Sequence, residues 1–198
     1  WGDMDGDGDL DLAVANNSGA NKVYLNNDGM LQTDPAWTAL DGAGANSQAL
    51  AWGDVDSDGD LDLALAGSTN ATSYICDIFR NDSGSFVAIN AGMIPIRSCS
   101  VEWGDYDRDG DLDVVVGSGT ARDCGKIYKT NEIHFYENDA AKKGNYVELR
   151  LAGKAGSNAS AIGARVTLNA GGTKIVREVG GGYGHFGLQN DLTLHFGV

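Results

Sequence analysis

Short runs of alternating apolar and polar residues follow one another along the chain, each closed by a polar cluster. Leu10, Leu12 and Val14 share one face of the first run. Leu61, Leu63 and Leu65 do so in a second, and Leu112, Val114 and Val116 in a third. A period of two with β-branched content predicts strands rather than helices. Ala49–Trp52 and Cys99–Trp103 are short extended stretches preceding the second and third runs. Further strands are predicted over Lys22–Asn26, Ala36–Leu40, Tyr74–Arg80, Ser85–Ile89 and Glu132–Glu137. Asn26-Asn27-Asp28-Gly29 and Asn81-Asp82-Ser83-Gly84 are turn clusters between them. After a polar stretch, alternation resumes in Tyr146–Leu151, Ala164–Asn169, Lys174–Val179 and Asp191–Phe196, separated by glycines at 171–172 and 180–182.

These runs are organised by an internal repeat. Trp1 to Leu12 recurs from Trp52 to Leu63 and again from Trp103 to Val114, each time 51 residues on. Four strands in about 50 residues make the blade of a β-propeller, whereas a parallel β-helix repeats far sooner. The expected fold is all-β. Residues 1–138 would form a partial propeller of about three four-stranded blades, 139–144 a linker and 145–198 a small β-rich module. The Trp opening each repeat is expected to anchor one blade on the next. Propellers close with at least about four blades. Three repeats therefore predict a fragment of a longer secreted protein, with its signal peptide and further blades upstream.

Charge sharpens this picture. The chain of 198 residues has 28 acidic against 14 basic side chains, a formal charge of −14. Such a field repels a polyanion, so nucleic acid is not an expected partner. An apolar fraction of 42% excludes disorder. No apolar run approaches the roughly 18 residues of a membrane helix, so no membrane insertion is expected. The acid is local: 15 aspartates fall in the windows 3–11, 54–62 and 105–113, and without them the chain has 13 acids against 14 bases. Like charges about 4 Å apart cost on the order of 4 kcal/mol per pair at an effective dielectric near 20, so a fold that converges them calls for a cation.

Each window has the form D-x-D-x-D-G-x-x-D, between two strands. Candidate side-chain ligands are Asp3, Asp5, Asp7 and Asp11, with the Asp9 carbonyl as a fifth. The matching sets are Asp54, Asp56, Asp58 and Asp62 with the Asp60 carbonyl, and Asp105, Asp107, Asp109 and Asp113 with that of Asp111. An all-oxygen set suits a hard cation, and flexible coordination by about six to eight oxygens favours Ca²⁺ over Mg²⁺. About three Ca²⁺ are expected, one per repeat. An EF-hand begins the same way but needs an acid at its twelfth position and flanking helices. That position holds Val14, Leu65 or Val116, and the flanks are strands.

The repeats resemble the FG-GAP or VCBS-type repeats of integrin-α-like propellers over residues 1 to about 138. The signature tripeptides are degraded: Val116-Gly117-Ser118-Gly119 stands in place of GAP, and Ala15-Asn16-Asn17 departs further. The resemblance implies loops that stiffen blades, usually without a part in catalysis. The C-terminal segment is similar to the ASPIC/UnbV domain. Three stretches carry the match: Ser157 to Val166, Arg177 to Tyr183, and Gln189-Asn190-Asp191 with His195-Phe196-Gly197. Ala159 stands where that family often has a basic residue, and Val198 where it usually has Leu. Cartilage acidic protein-like chains and many bacterial secreted proteins join the two in this order.

No Ser-His-Asp or His-Glu-x-x-His pattern surrounds His134, His185 or His195, which are expected to be structural or solvent-facing. Gly180 to Gly184 lacks the strand-to-helix setting of a phosphate loop and predicts turns. Cys76, Cys99 and Cys124 leave two alternatives open, one disulfide with a spare thiol or buried thiols. The function expected is calcium-dependent, non-enzymatic binding of an extracellular protein or glycan, as in adhesion, by a secreted or cell-surface protein. The alternative is part of a secreted carbohydrate-active lyase or hydrolase whose catalytic residues lie outside this segment.

Overall fold

The computed structural model is all-β, with no helix among the described residues. It describes residues 1–16, 19–39, 46–68, 74–95, 99–118, 132–139, 145–182 and 191–198. The first sheet orders β1 (Leu12–Val14), β2 (Asn21–Tyr24) and β5 (Trp37–Ala39), with a hairpin of β3 (Asn26–Asn27) and β4 (Met30–Leu31) between the last two. The second is a four-stranded antiparallel meander of β6 (Asn46–Gly53), β7 (Asp62–Ser68), β8 (Tyr74–Asp82) and β9 (Ser85–Ala88). The third contains β10 (Cys99–Gly104), β11 (Asp113–Ser118) and β12 (Glu132–Tyr136). The second sheet is therefore a complete blade; the first and third have three strands each among the described residues.

The turn clusters act as expected. Asp28-Gly29 closes β3 on β4 and Ser83-Gly84 closes β8 on β9, with positive φ at all four residues. Two successive left-handed residues give the two-residue turn whose twist matches that of the strands it joins.

The register repeats with the sequence. Gly2 faces Asp11, Gly53 faces Asp62 and Gly104 faces Asp113. The sheets stack through two cores. Leu63, Leu65 and Phe79 meet Ala39 and Trp37 of the first sheet. On the opposite face Ala64, Ala66, Cys76 and Ile78 meet Val101, Trp103, Val114 and Val116 of the third. The central strand β7 is thus buried on both faces. Each fully buried Leu or Val contributes about 1.5–3 kcal/mol, and the alanines leave room for Trp103.

Tryptophan locks sheet to sheet. A Cβ on Gly53 would lie 2.7 Å from the Trp103 ring, and one on Gly2 would lie 3.0 Å from Trp52 and 2.7 Å from Leu61. Trp103 Nε1 also donates to the Ala51 carbonyl at 3.1 Å. The anchor role expected from the repeat holds for Trp52 and Trp103. Trp1 is 58% exposed.

In the C-terminal module, β13 (Tyr146–Arg150) pairs with β16 (Thr193–Gly197). β14 (Arg165–Ala170) pairs with β15 (Thr173–Glu178) through a turn at Gly171-Gly172. The two small sheets share a core of Ile175, Val179, Leu194 and Phe196.

Candidate metal centres

The three aspartate windows fold into loops of the same design. Gly8, Gly59 and Gly110 have φ of 99°, 99° and 96°, a region L side chains avoid. Two positions earlier, Gly6, Ser57 and Arg108 are also left-handed, at 72°, 55° and 64°. These bends turn successive N–H groups inward onto the carboxylates.

In the second loop Asp54 accepts from the N–H groups of Asp58 (3.0 Å) and Gly59 (3.1 Å), and Asp58 accepts from that of Asp60 (2.9 Å). Asp105 and Asp109 accept from the matching groups of the third loop at 2.9–3.1 Å. In the first, Asp3 accepts from Gly8 (3.3 Å), Asp5 from Asp7 (3.2 Å) and Asp7 from Asp9 (2.7 Å).

The last aspartate of each loop bridges loop and sheet. Asp11 accepts from Met4 N (2.7 Å) with one oxygen and Asn26 N (2.8 Å) with the other. Asp62 does the same with Val55 and Asn81, and Asp113 with Tyr106 and Asn138. Sequence reading placed Asn26 and Asn81 in turn clusters and gave none of the three asparagines a part in the loops. Each side-chain amide reaches back to the carbonyl of Leu10, Leu61 or Leu112. Asn81 and Asn138 also cross to the preceding loop, donating to Met4 O (3.1 Å) and Val55 O (2.9 Å). Asn81, the first residue of an Asn-Asp-Ser sequon, is fully buried.

Three clusters result, each with one carboxylate oxygen per residue and all oxygens within 4.8 Å of one another. They are Asp3, Asp5 and Asp11; Asp54, Asp56 and Asp58; and Asp105, Asp107 and Asp113. Asp7, Asp9, Asp60, Asp62, Asp109 and Asp111 lie in the same loops outside these trios. Asp60 accepts from Ser83 N at 2.8 Å, and Asp56 lies 3.9 Å from Arg80.

Asp3 is 3% exposed, and its Oδ2 is a buried acceptor with no hydrogen-bond partner, as is Asp56 Oδ1. Buried polar atoms are rarely left unsatisfied, so these two oxygens point to a missing electrophile. Burial raises the carboxyl pKa of Asp11 and Asp58 to about 6 and of Asp62 to about 8, against the lowering effect of backbone hydrogen bonds. Burial also raises those of Asp3 and Asp54. A dication would remove both the repulsion and this desolvation penalty, so the donor set fits a hard metal ion.

The C-terminal module roofs the loops, a contact the sequence did not announce. Lys174 Nζ donates to Asp7 O (3.2 Å), Arg177 Nη2 to Gly59 O (3.5 Å) and Gly197 N to Asp54 Oδ2 (3.0 Å). His195 Nε2 is 3.0 Å from Gly110 O and its ring stacks on Tyr146. His195, expected to be structural or solvent-facing, is therefore part of this contact. Cys76 and Cys99 are buried together between the second and third sheets, and burial pushes their thiols up to about 11 and about 12. Cys124, His185 and most of the predicted linker lie outside the described residues.

Stacked antiparallel sheets, each with an acidic hairpin loop at the same end, define a β-propeller-type repeat segment, here followed by a β module. Comparison with known families agrees: residues 3–65 match the FG-GAP-like repeat, and residues 153–198 match ASPIC and UnbV. The first match spans two of the three aspartate loops and ends at Leu65. The third repeat joins them through its register and hydrogen bonds. Compared with the curated proteins, the chain matches none.

Proposed function

We propose that the three loops bind Ca²⁺, about one per repeat, and that the chain is a calcium-stabilised extracellular propeller segment recognising a protein or glycan, as in adhesion. The observation that carries this reading is the buried, unpartnered Asp3 Oδ2 inside one of three carboxylate trios, one in each repeat. In the second loop Asp54, Asp56, Asp58 and Asp62 would hold the ion with the Asp60 carbonyl, and the other loops would use the matching residues. The ion supplies charge neutralisation; three dications would bring the formal charge from −14 to −8. A non-catalytic role is supported by three similar centres, where a glycosidase needs two carboxylates of different tuning. Extracellular placement is supported by the repeat class and by millimolar calcium, which fills weak all-oxygen sites. No helix of the described residues is long and apolar enough to cross a membrane.

Calorimetric titration is expected to give about three calcium equivalents, and chelator is expected to lower the melting temperature. Identical melting curves with and without chelator would refute the reading. Replacing Asp56 and Asp58 together by Asn should remove one equivalent. A double variant that still fills every site shows the ligands are misassigned.

A further inference from the structure

The module touches all three loops, and what it touches is mostly backbone. Lys174, Arg177 and His195 meet the carbonyls of Asp7, Gly59 and Gly110. These three carbonyls sit at the left-handed glycine of a loop or the residue before it. They take these directions only when the loop is wound as described above. Gly197 adds a hydrogen bond to a candidate ligand carboxylate, its N–H donating to Asp54 Oδ2. The fit there is close: a Cβ on Gly197 would collide with that oxygen and lie 2.6 Å from the Ser57 backbone. Gly110 likewise admits no Cβ, because the Tyr146 ring lies against it.

Charge supports the contact without carrying it. Three of the five basic residues of the module, Arg165, Lys174 and Arg177, approach the first and second loops. Arg177 is buried, and burial lowers its guanidinium pKa while Asp54 and Asp3 act the other way. Among the described residues it has no carboxylate within ion-pair distance; its hydrogen bonds go to the Val176 and Gly59 carbonyls. The module therefore reads the shape of the loops more than their charge.

Resting on the calcium reading above, we propose that the C-terminal module is a clamp linked to calcium: the ion winds the loops into the surface the module docks on, and docking through Gly197 and Arg177 in turn holds Asp54 in place for the ion. A cation-free loop, with its carboxylates repelling, loses the carbonyl directions the module needs. Linkage requires that the factor by which calcium favours docking equal the factor by which docking favours calcium.

Hydrogen exchange of the full chain, in calcium and in chelator, is the test. Calcium is expected to slow exchange at the Gly197 amide about tenfold. Amides of the β14–β15 hairpin, which pair within the module, should slow less. Gly197→Ala, and independently Arg177→Met, should weaken one calcium site by about the same factor, with Arg177→Lys restoring most of it. The exchange comparison on the wild-type chain stands even if Gly197→Ala does not fold. Calcium binding with unchanged Gly197 exchange overturns the clamp and leaves the calcium reading intact. Faster Gly197 exchange in calcium overturns it too, because the ion would then draw Asp54 Oδ2 away from the Gly197 N–H instead of holding it there. A wild-type chain that binds no calcium overturns both.

Discussion

At the scale of single residues, the asparagine that closes each loop separates local from inter-sheet stabilisation. Asn81 donates to Leu61 O in its own sheet and to Met4 O in the loop before, and its Oδ1 accepts from Gly84 N. Asn26 donates to Leu10 O. Each buried group left unsatisfied costs about 1–3 kcal/mol. Asn81→Ala should therefore cost about 2–4 kcal/mol and Asn26→Ala about 1 kcal/mol, measured as shifts of the urea midpoint. Equal costs would show that the bond to Met4 contributes nothing. These asparagines were not legible in the repeat because their distance from the clasping aspartate varies, at 15, 19 and 25 residues. The aspartates keep their spacing because both ends of a wound loop are fixed; the span between second and third strands varies in length.

Among elements, the same motif position meets two environments. Gly53 lies under the Trp103 ring, so Gly53→Ala forces the second and third sheets apart. Overpacking of this kind costs about 1–3 kcal/mol. Gly104 is its counterpart one repeat on and has open space where a Cβ would stand. Gly104→Ala should leave stability within about 0.5 kcal/mol. Thermal unfolding of the two variants checks the pair, and a Gly104→Ala loss matching that of Gly53→Ala would show that the glycine is needed for its backbone and not for the tryptophan. The strands themselves were well marked, with Tyr74, Ser85 and Tyr146 beginning strands where the alternation began. What alternation hid was the second face of β7. Ala64 and Ala66 look like the weak side of an amphipathic strand, yet they are fully buried, because the bulk on that face comes from Trp103 and Val101 of the next sheet.

For the whole molecule, the decisive contacts join residues 85 to 167 positions apart, from His195 on Gly110 to Lys174 on Asp7. No local pattern encodes such distances, so the repeat and the module were each legible while their packing was not. One half-buried acid reports on the fold around the third sheet. Glu102 lies on β10, on the side away from Trp103, and burial raises its pKa from 4.5 to about 7, with the Asp191 charge adding to the shift and the Trp103 backbone opposing it. An acid whose folded pKa is raised favours folding when protonated. Its contribution is fully present below pH 4.5 and is lost as pH rises through about 7. The shift corresponds to on the order of 3 kcal/mol. Glu102→Gln, neutral throughout, should match the wild type near pH 4.5 and exceed it at pH 8 by up to that amount. Urea unfolding at the two pH values, with calcium constant, measures the difference. A gain of the same size at both would mean that packing, and not the buried charge, sets the effect. A gain at pH 8 that shrinks in Asp191→Asn would place the module's charge beside the third sheet, as the structure has it.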